Sequence, residues 1–516
     1  MSVYVFNLLV GFSPNGIDNA QGYREKIFDQ IGIDSKYVFT EFPDMRDIKL
    51  YKNTGIPVKK MLTPHLKLTK RDHFEFVDET ESMIQVIKTS MNISNIVHLE
   101  NNIQFWKNGF LVCEIHTLPF DQRYFYEIIY FKENCLIKKD FYSGGIIYSD
   151  FFVTAENEDG SLYAKTVKRT FYNEDGEICF EQIGDNYYLC NGKMLNQYDL
   201  LDLFFDSLDL NDKDVLLLDR AYDLKFNDVI FEKRLPCKKI CVIHSGHYFE
   251  PYQCQYALYL SYEYYFWFKY SKYIDSFIVS TENQKIDLMN VLSDYKYDIP
   301  KIKVIPVGAI ENLCITNDRK PNSIITASRL VNEKRIDLVI RAVIEAHNSN
   351  GQITLDVYGK GDKDFEDGLR NIVKENNAES YIRFMGHQSL ENVYQNYDLY
   401  ISMSMFETFG LTLLEAAASG CALIGLDVPY GNATFIKENY NGYLIDYSYN
   451  QSKDSEIELE KLVAERILKI LNNKDMLNEF SNNSYELANN FLIYKDTFNK
   501  LGYKAKINTH TTSYIN

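Results

Sequence analysis

The residues best suited to chemistry lie within residues 405–420, MFETFGLTLLEAAASG. Glu407 opens a short Thr408-Phe409-Gly410 turn, Leu411 to Ala416 has helix-forming composition, and Gly420 supplies a left-handed stop. A loop therefore runs into a helix N-terminus. The unpaired N–H groups near Gly410, Leu411 and Thr412 and the positive end of the helix dipole favour an anion such as phosphate there. Glu407 and Glu415, eight positions apart, flank that anion site. Carboxylates accept hydrogen bonds from the vicinal hydroxyls of a ribose or a hexose. Taken alone, a solvated loop acid and a first-turn acid explain the two glutamates equally well.

Two further constellations precede this one. Ser328-Arg329-Leu330-Val331-Asn332-Glu333-Lys334 follows an apolar strand. An arginine and a lysine on a strand-to-helix turn can clamp a diphosphate, the guanidinium as a planar fork and the ammonium as a point charge. A surface ion pair is the plainer alternative. The run His244-Ser245-Gly246-His247-Tyr248 ends the strand at 239–243. Ligands collect beyond the carboxyl ends of parallel strands, so His244 sits where chemistry is expected, while His247 has no assigned role. The triplets Asp212-Lys213-Asp214 and Asp362-Lys363-Asp364 have turn composition, and loop aspartates are preferred over metal ligands; no metal site is expected.

These residues need elements to hold them. Residues 3–9 read as a strand, 10–16 as a glycine-punctuated loop and 18–31 as a helix, which is half of a Rossmann-like unit. Gly11 and Gly16 would let a backbone approach a sugar-phosphate, or simply form a turn. Gln21 and Arg24 are expected to face the cleft or solvent. From about 44 to 208 short alternating runs are separated by the turns at 157–160, 173–176 and 191–192, two of them NEDG, which predicts an inserted antiparallel β-meander. Its entry segment carries Lys59, Lys60, Lys67, Lys70 and Arg71. That cluster reads as a solvated face or as a contact for anionic lipid or a polyanionic acceptor. The α/β pattern resumes after Asp214, and an aromatic helix is expected over 256–270, with core packing preferred to a peptide-binding or interfacial face. A second Rossmann half follows 323–327, and 459–500 reads as a helix crossing back to the first domain, before a polar tail at 509–516. The expected domains are 1–43, an insertion at 44–210, 211–317, a second Rossmann-like domain at 318–480, and 481–516.

Composition narrows the class. At 516 residues the chain exceeds what one core organises. A net charge of -17 argues against a nucleic-acid binder, although a local basic cleft could still hold a diphosphate. Nine cysteines without CxxC spacing read as reduced thiols, with Cys237 and Cys241 in the core. The N-terminus lacks a secretory signal and a spanning segment, so a cytoplasmic protein is expected, with peripheral attachment at the inner face of the membrane as an extension of that reading.

The Glu-x7-Glu spacing around Phe-Gly-Leu-Thr, the strand at 422–425 and the run 441–445 resemble the donor site of retaining family-4 glycosyltransferases of the GT-B fold. The resemblance implies two Rossmann-like domains facing a cleft. On it, Arg329 and Lys334 neutralise the leaving diphosphate of a UDP-sugar, Glu415 binds ribose hydroxyls, Glu407 holds sugar hydroxyls beside the anomeric carbon, and His244 contacts the transferred sugar. The donor site then also takes in Gly16, Gly308, Ser328, Gly359, His387, Phe409, Gly410, Leu411 and Thr412. No cofactor is implied beyond the UDP-sugar, which is a substrate. The chain departs from the pattern at Thr408, where glycine is usual, and at 428–434, VPYGNAT, in place of a Gly-Gly…Glu segment. The insertion, the His-x-x-His pair, FETFGLTLLEA and DVPYGN together resemble the catalytic subunits of accessory-secretion glycosyltransferases, which add N-acetylglucosamine to serine and threonine of serine-rich-repeat adhesins. The expected function is that transfer from UDP-GlcNAc, with the insertion docking acceptor or a homologous subunit, or forming a homo-oligomer. UDP-glucose as donor, transfer onto poly(ribitol- or glycerol-phosphate) teichoic acid, and a non-catalytic glycopeptide-binding subunit are the alternatives.

Overall fold

The computed structural model describes residues 1–7, 16–42, 54–220, 224–248, 259–316, 318–448 and 453–492. The chain forms two compact units, Met1–Val242 with Tyr273–Asp275, and Ile243–Lys272 with Ser276–Asn516.

In the first unit Ser2–Asn7 pairs in parallel with Asp34–Phe39 on one side and Val215–Leu218 on the other. Met61–Leu62 and Lys238–Val242 extend the set at its two ends. Val215–Leu218 is apolar at every position because both of its faces are covered, as parallel strands require. The helix Gly16–Gln30 lies between Ser2–Asn7 and Asp34–Phe39 in the chain, the crossover that parallel neighbours need. Gln21 and Arg24, expected at the cleft or in solvent, are instead buried at 1% and 3% exposure. Arg24 forms a two-pronged pair with Asp219 at 2.8 and 3.1 Å, and Gln21 bonds Asn7. A buried guanidinium is tolerated only with such a partner, and Asp219 comes from the end of a strand nearly 200 residues away.

The insertion is a ten-stranded antiparallel sheet in which the strands from Asn95–His98 to Met194–Leu195 follow one another in chain order. Gly160 and Gly176 close the two NEDG hairpins at φ 81 and 80°, a left-handed conformation in which glycine has no steric penalty. One face buries Ile103, Phe105, Cys113, Ile115 and Ile128 with Ile84 and Ile87 of the helix Thr80–Met91. The other carries a ladder of Phe141, Tyr148, Phe171 and Phe180, with successive centroids 4.2, 5.7 and 4.6 Å apart. The basic entry segment is a clip for this sheet. Arg71 is buried and donates to the carbonyls of Ser143, Gly144, Ile146 and Asn173 at 2.9–3.4 Å. Lys60 pairs with buried Glu25 and Lys67 with Asp72, leaving Lys59 and Lys70 exposed. Lys60 and Arg71 are thus committed to buried partners, while Lys59, Lys70 and the Lys67–Asp72 pair keep the expected solvated face.

In the second unit Ser276–Val279 pairs in parallel with Lys301–Val304. The aromatic helix is shorter than expected among the described residues: it runs Tyr262–Lys269, because Ser261 is extended at its N-cap, and it buries Tyr264, Trp267 and Phe268. A six-stranded parallel sheet has the order Ile382–Gly386, Thr354–Tyr358, Ser323–Ala327, Leu399–Ser402, Ala422–Asp427, Gly442–Asp446. The chain moves outward from Ser323–Ala327, then returns to its other side, so the topological switch point lies between Ser323–Ala327 and Leu399–Ser402. The C-terminal helix expected as one is two, Lys453–Leu471 and Lys474–Asn489, since Asn473 accepts the Met476 N–H and starts a new one. Its expected continuation to 500 and the tail lie outside the described residues. Cys237 and Cys241 are buried as expected. Among the described residues no helix is long and apolar enough to cross a membrane.

Candidate active site

The two strands at the switch point deliver the two constellations. Leu399–Ser402 leads into the loop of Glu407, which ends at Gly410 with φ 86° before the helix Leu411–Ala418. The loop is tied on both sides. The Met405 N–H donates to the Glu333 carbonyl at 2.8 Å. The Glu407 N–H donates to Pro429 O at 3.1 Å, and the Glu407 carbonyl accepts from the N–H groups of Tyr430 and Gly431 at 2.7 and 2.6 Å. A Cβ on Gly431 would lie 2.2 Å from the Phe409 carbonyl. The segment 428–434, read in the sequence as a departure from the general pattern and as part of the DVPYGN resemblance, is therefore the strap behind Glu407.

Ser323–Ala327 leads to Arg329 and Lys334. Lys334 Nζ lies 2.9 Å from Glu407 Oε2, with only 15% and 22% of the two side chains exposed. Arg329 instead points outward, 68% exposed and paired with Glu333 at 2.9 Å, which is the plainer surface pairing that the sequence allows. Ser328 donates its N–H to Tyr358 O at 3.1 Å. Gly359, at φ 139°, has no room for a side chain, since a Cβ would meet Ser328 O at 1.8 Å. Its N–H bonds Gly386 O at 2.9 Å, next to exposed His387. Ser328, Gly359 and His387 thus stand at the ends of three adjacent strands.

Helix Leu411–Ala418 carries Thr412, whose hydroxyl accepts from Tyr400 at 2.8 Å, and half-buried Glu415. Burial pushes the Glu415 carboxyl up to about 7, against the opposing effect of the Tyr394 phenol. Phe409 turns its ring into the core against Phe435 and Phe491, leaving its backbone for any ligand contact. Gly308 makes room for Leu411, whose Cδ2 would lie 2.2 Å from a Cβ there. Gly16 begins the helix Gly16–Gln30 in the first unit, and the loop before it lies outside the described residues.

His244 ends its strand half-exposed, with its N–H and that of Ser245 both donating to the Tyr264 hydroxyl at 3.1 and 3.0 Å. His247 is fully buried, parallel to the Tyr430 ring at 6.2 Å and with Nε2 3.6 Å from Asp287 Oδ2. Burial pulls its pKa down to about 4 despite the Asp287 charge, so the ring is neutral. A Cβ on Gly246 would approach Phe406 Cζ to 2.8 Å, so the His244 loop packs on the residue preceding Glu407. Sequence reasoning gave no role to Tyr430 and Phe406, although they lie in the DVPYGN and FETFGLTLLEA runs, and missed Asp287, which lies in no motif. The two DKD triplets are accounted for locally: Asp362 caps the helix Lys363–Glu375 and Asp214 accepts from the Ser2 N–H. Among the described residues no group of three or more His, Cys, Asp or Glu could hold a metal ion.

Two parallel α/β sheets in the chain, an antiparallel sheet inserted in the first, and a lysine–glutamate pair beside a helix N-terminus at the switch point define a glycosyltransferase of the GT-B fold. Residues 315–487 match the family model for glycosyl transferases group 1, and 99–190 match that of the GtfA extended beta-sheet domain. The chain is 33% identical over 509 residues to the GtfA subunit of the UDP-N-acetylglucosamine–peptide N-acetylglucosaminyltransferase of Limosilactobacillus reuteri subsp. suis, covering 95% of this chain and 96% of that one, and it belongs to that family. The crystal structure of the pneumococcal O-GlcNAc transferase GtfA in complex with UDP and GlcNAc matches with TM-score 0.84 at 30% identity, covering 97% and 98% of the two chains. That of a GtfA/B complex matches with TM-score 0.85 at 30% identity, covering 97% and 99%.

Proposed function

We propose that the protein transfers N-acetylglucosamine with retention from UDP-GlcNAc to serine and threonine hydroxyls of a serine-rich adhesin in the cytosol before export. The observation that carries this reading is the half-buried Lys334–Glu407 pair beside the start of helix Leu411–Ala418. When the anomeric C–O bond to UDP breaks, UDP leaves with the electron pair; the acceptor oxygen bonds the anomeric carbon and passes its proton to the departing phosphate. Negative charge grows on the leaving phosphate. A fixed cation and a helix N-terminus stabilise that charge, by several kcal/mol for an essential group.

In this reading Lys334 grips the diphosphate and Arg329 swings in from Glu333 to join it, which supplies the charge that a metal would otherwise bring. Glu415 takes the ribose hydroxyls, Glu407 the sugar hydroxyls, and His244 the transferred sugar. Gly308, Ser328, Gly359, His387 and the backbone from Phe409 to Thr412 line the donor. Support for the donor comes from the pneumococcal relative, which holds UDP and GlcNAc, and support for a homologous partner from the GtfA/B complex. The inserted sheet within 44–210 is the surface assigned to acceptor or partner, and the protein works in the cytoplasm, peripherally at the inner face of the membrane.

A donor and acceptor screen tests this. UDP-GlcNAc with a serine-rich peptide is expected to give product, and Glu407→Gln to lower turnover on the order of a hundredfold. Transfer onto purified poly(ribitol-phosphate) with none onto peptide would overturn the acceptor assignment.

A further inference from the structure

The Glu407 loop is braced by one side chain of the DVPYGN run. Tyr430 has 4% of its surface exposed, and its backbone N–H holds the Glu407 carbonyl at 2.7 Å. Its ring meets Phe406, the residue before Glu407, edge-on at 6.0 Å and 84°. The opposite constraint comes from the chain that bears His244: the His247 ring lies parallel to Tyr430, with 2° between the planes. Its phenol donates to Asp287 Oδ2 at 2.5 Å, and the same carboxylate oxygen lies 3.6 Å from His247 Nε2. Gly246, between His244 and His247, is open only to the edge of Phe406.

Tyr430 therefore touches, directly or through one residue, both segments to which reactive roles are assigned. Its hydroxyl is held by a carboxylate and its ring is clamped between two aromatic planes, so few rotamers remain to it. A side chain so confined transmits position, since packed interiors resist small displacements. A positioning error on the order of an ångström at a reacting group costs about a hundredfold in rate.

We infer that Tyr430, held by Asp287 and His247, is a positioning residue that sets the Glu407 loop against the His244 segment. The inference rests on the proposed roles of Glu407 and His244. It concerns orientation and leaves the diphosphate grip of Lys334 untouched.

The test uses the full-length protein and the variants Tyr430→Phe, Asp287→Asn and the pair combined. Tyr430→Phe keeps the ring and removes the hydroxyl. The expected result is a fall in kcat of about tenfold, with calorimetric UDP affinity within about twofold of the parent. Asp287→Asn should behave alike, and the double variant should be no worse than either, since both break one linkage. Amide hydrogen exchange at 405–410 should quicken about tenfold in Tyr430→Phe, a readout that needs no turnover. Unchanged exchange and kcat, multiplied losses in the double variant, or a parallel loss of UDP affinity and melting temperature would each overturn the inference. A parent protein inactive on every UDP-sugar would instead remove the proposed transfer function, while the exchange measurement would still decide whether Tyr430 positions the loop.

Discussion

Lys334 Nζ and Glu407 Oε2 stand 2.9 Å apart, joining loops that are 73 residues apart in the chain. Both side chains are mostly out of water, so each holds the other where an exposed pair would be only loosely held. In the proposed reading, a diphosphate beside the helix start would take over the lysine and leave Glu407 to hydroxyl donors. Lys334→Ala strips the charge from both states. It is expected to lower kcat/KM for UDP-GlcNAc by at least about a hundredfold, and Lys334→Arg to recover only part, because a planar fork does not replace a point charge. Steady-state donor kinetics on the two variants check this.

On the proposed assignment of Glu415 to the ribose hydroxyls, UDP binding should depend on pH. Burial holds its carboxyl up to about 7, so near neutrality a large fraction is protonated. Ribose hydroxyls donate to the ionised form, so binding releases a proton and affinity should rise as pH climbs through about 7, then level off. Calorimetry in buffers of differing ionisation heat measures the proton count. Glu415→Gln should lose that component, leaving only what UDP itself titrates.

Arg71 should be a stability residue. Its guanidinium is buried and donates to four carbonyls contributed by two separate turns of the inserted sheet. Removal leaves those acceptors out of water without donors, at a cost of about 2–3 kcal/mol. Arg71→Ala should lower the denaturation midpoint by that amount without changing UDP affinity; a shift below about 0.5 kcal/mol would refute the clip.

His116 gives the inserted sheet a basic-side limit. Burial alone would lower its pKa, but hydrogen bonds with Glu114 and Glu127 outweigh burial and hold it up to about 9. Nδ1 lies 2.9 Å from Glu127, and Lys139 shares that carboxylate at 3.3 Å. With the folded pKa above the ordinary 6.5, the stabilisation is complete below about pH 6.5 and is lost as pH rises through about 9. Melting temperatures of the parent should fall between about pH 7 and 10 in a way that His116→Gln does not show; the expected difference is on the order of 2 kcal/mol, allowing for partial exposure.

Much of this was legible in the chain because it is local. The left-handed glycines at 160, 176, 410 and 420, the apolar runs of buried strands, and the helix start after Gly410 each depend on residues a few positions apart. The Glu-x7-Glu spacing and the lysine after a strand belong to the same kind of pattern, and they pointed to an anion site at strand ends before any fold was known. What the chain alone left open was which distant groups meet. Arg24 turned inward because Asp219 waits at a strand end far along the chain, Arg71 because four carbonyls of the sheet converge on it, and Arg329 outward because Glu333 pairs with it. Gly308 gives room to Leu411 at the start of its helix, and 428–434, noted as a departure and as part of the DVPYGN resemblance, backs Glu407. Local backbone preference and periodicity are written in neighbouring residues, so sequence determined the elements and the type of chemistry. Pairing, burial and orientation depend on partners up to about two hundred positions away, and only the folded chain decides which of them are near enough to desolvate one another.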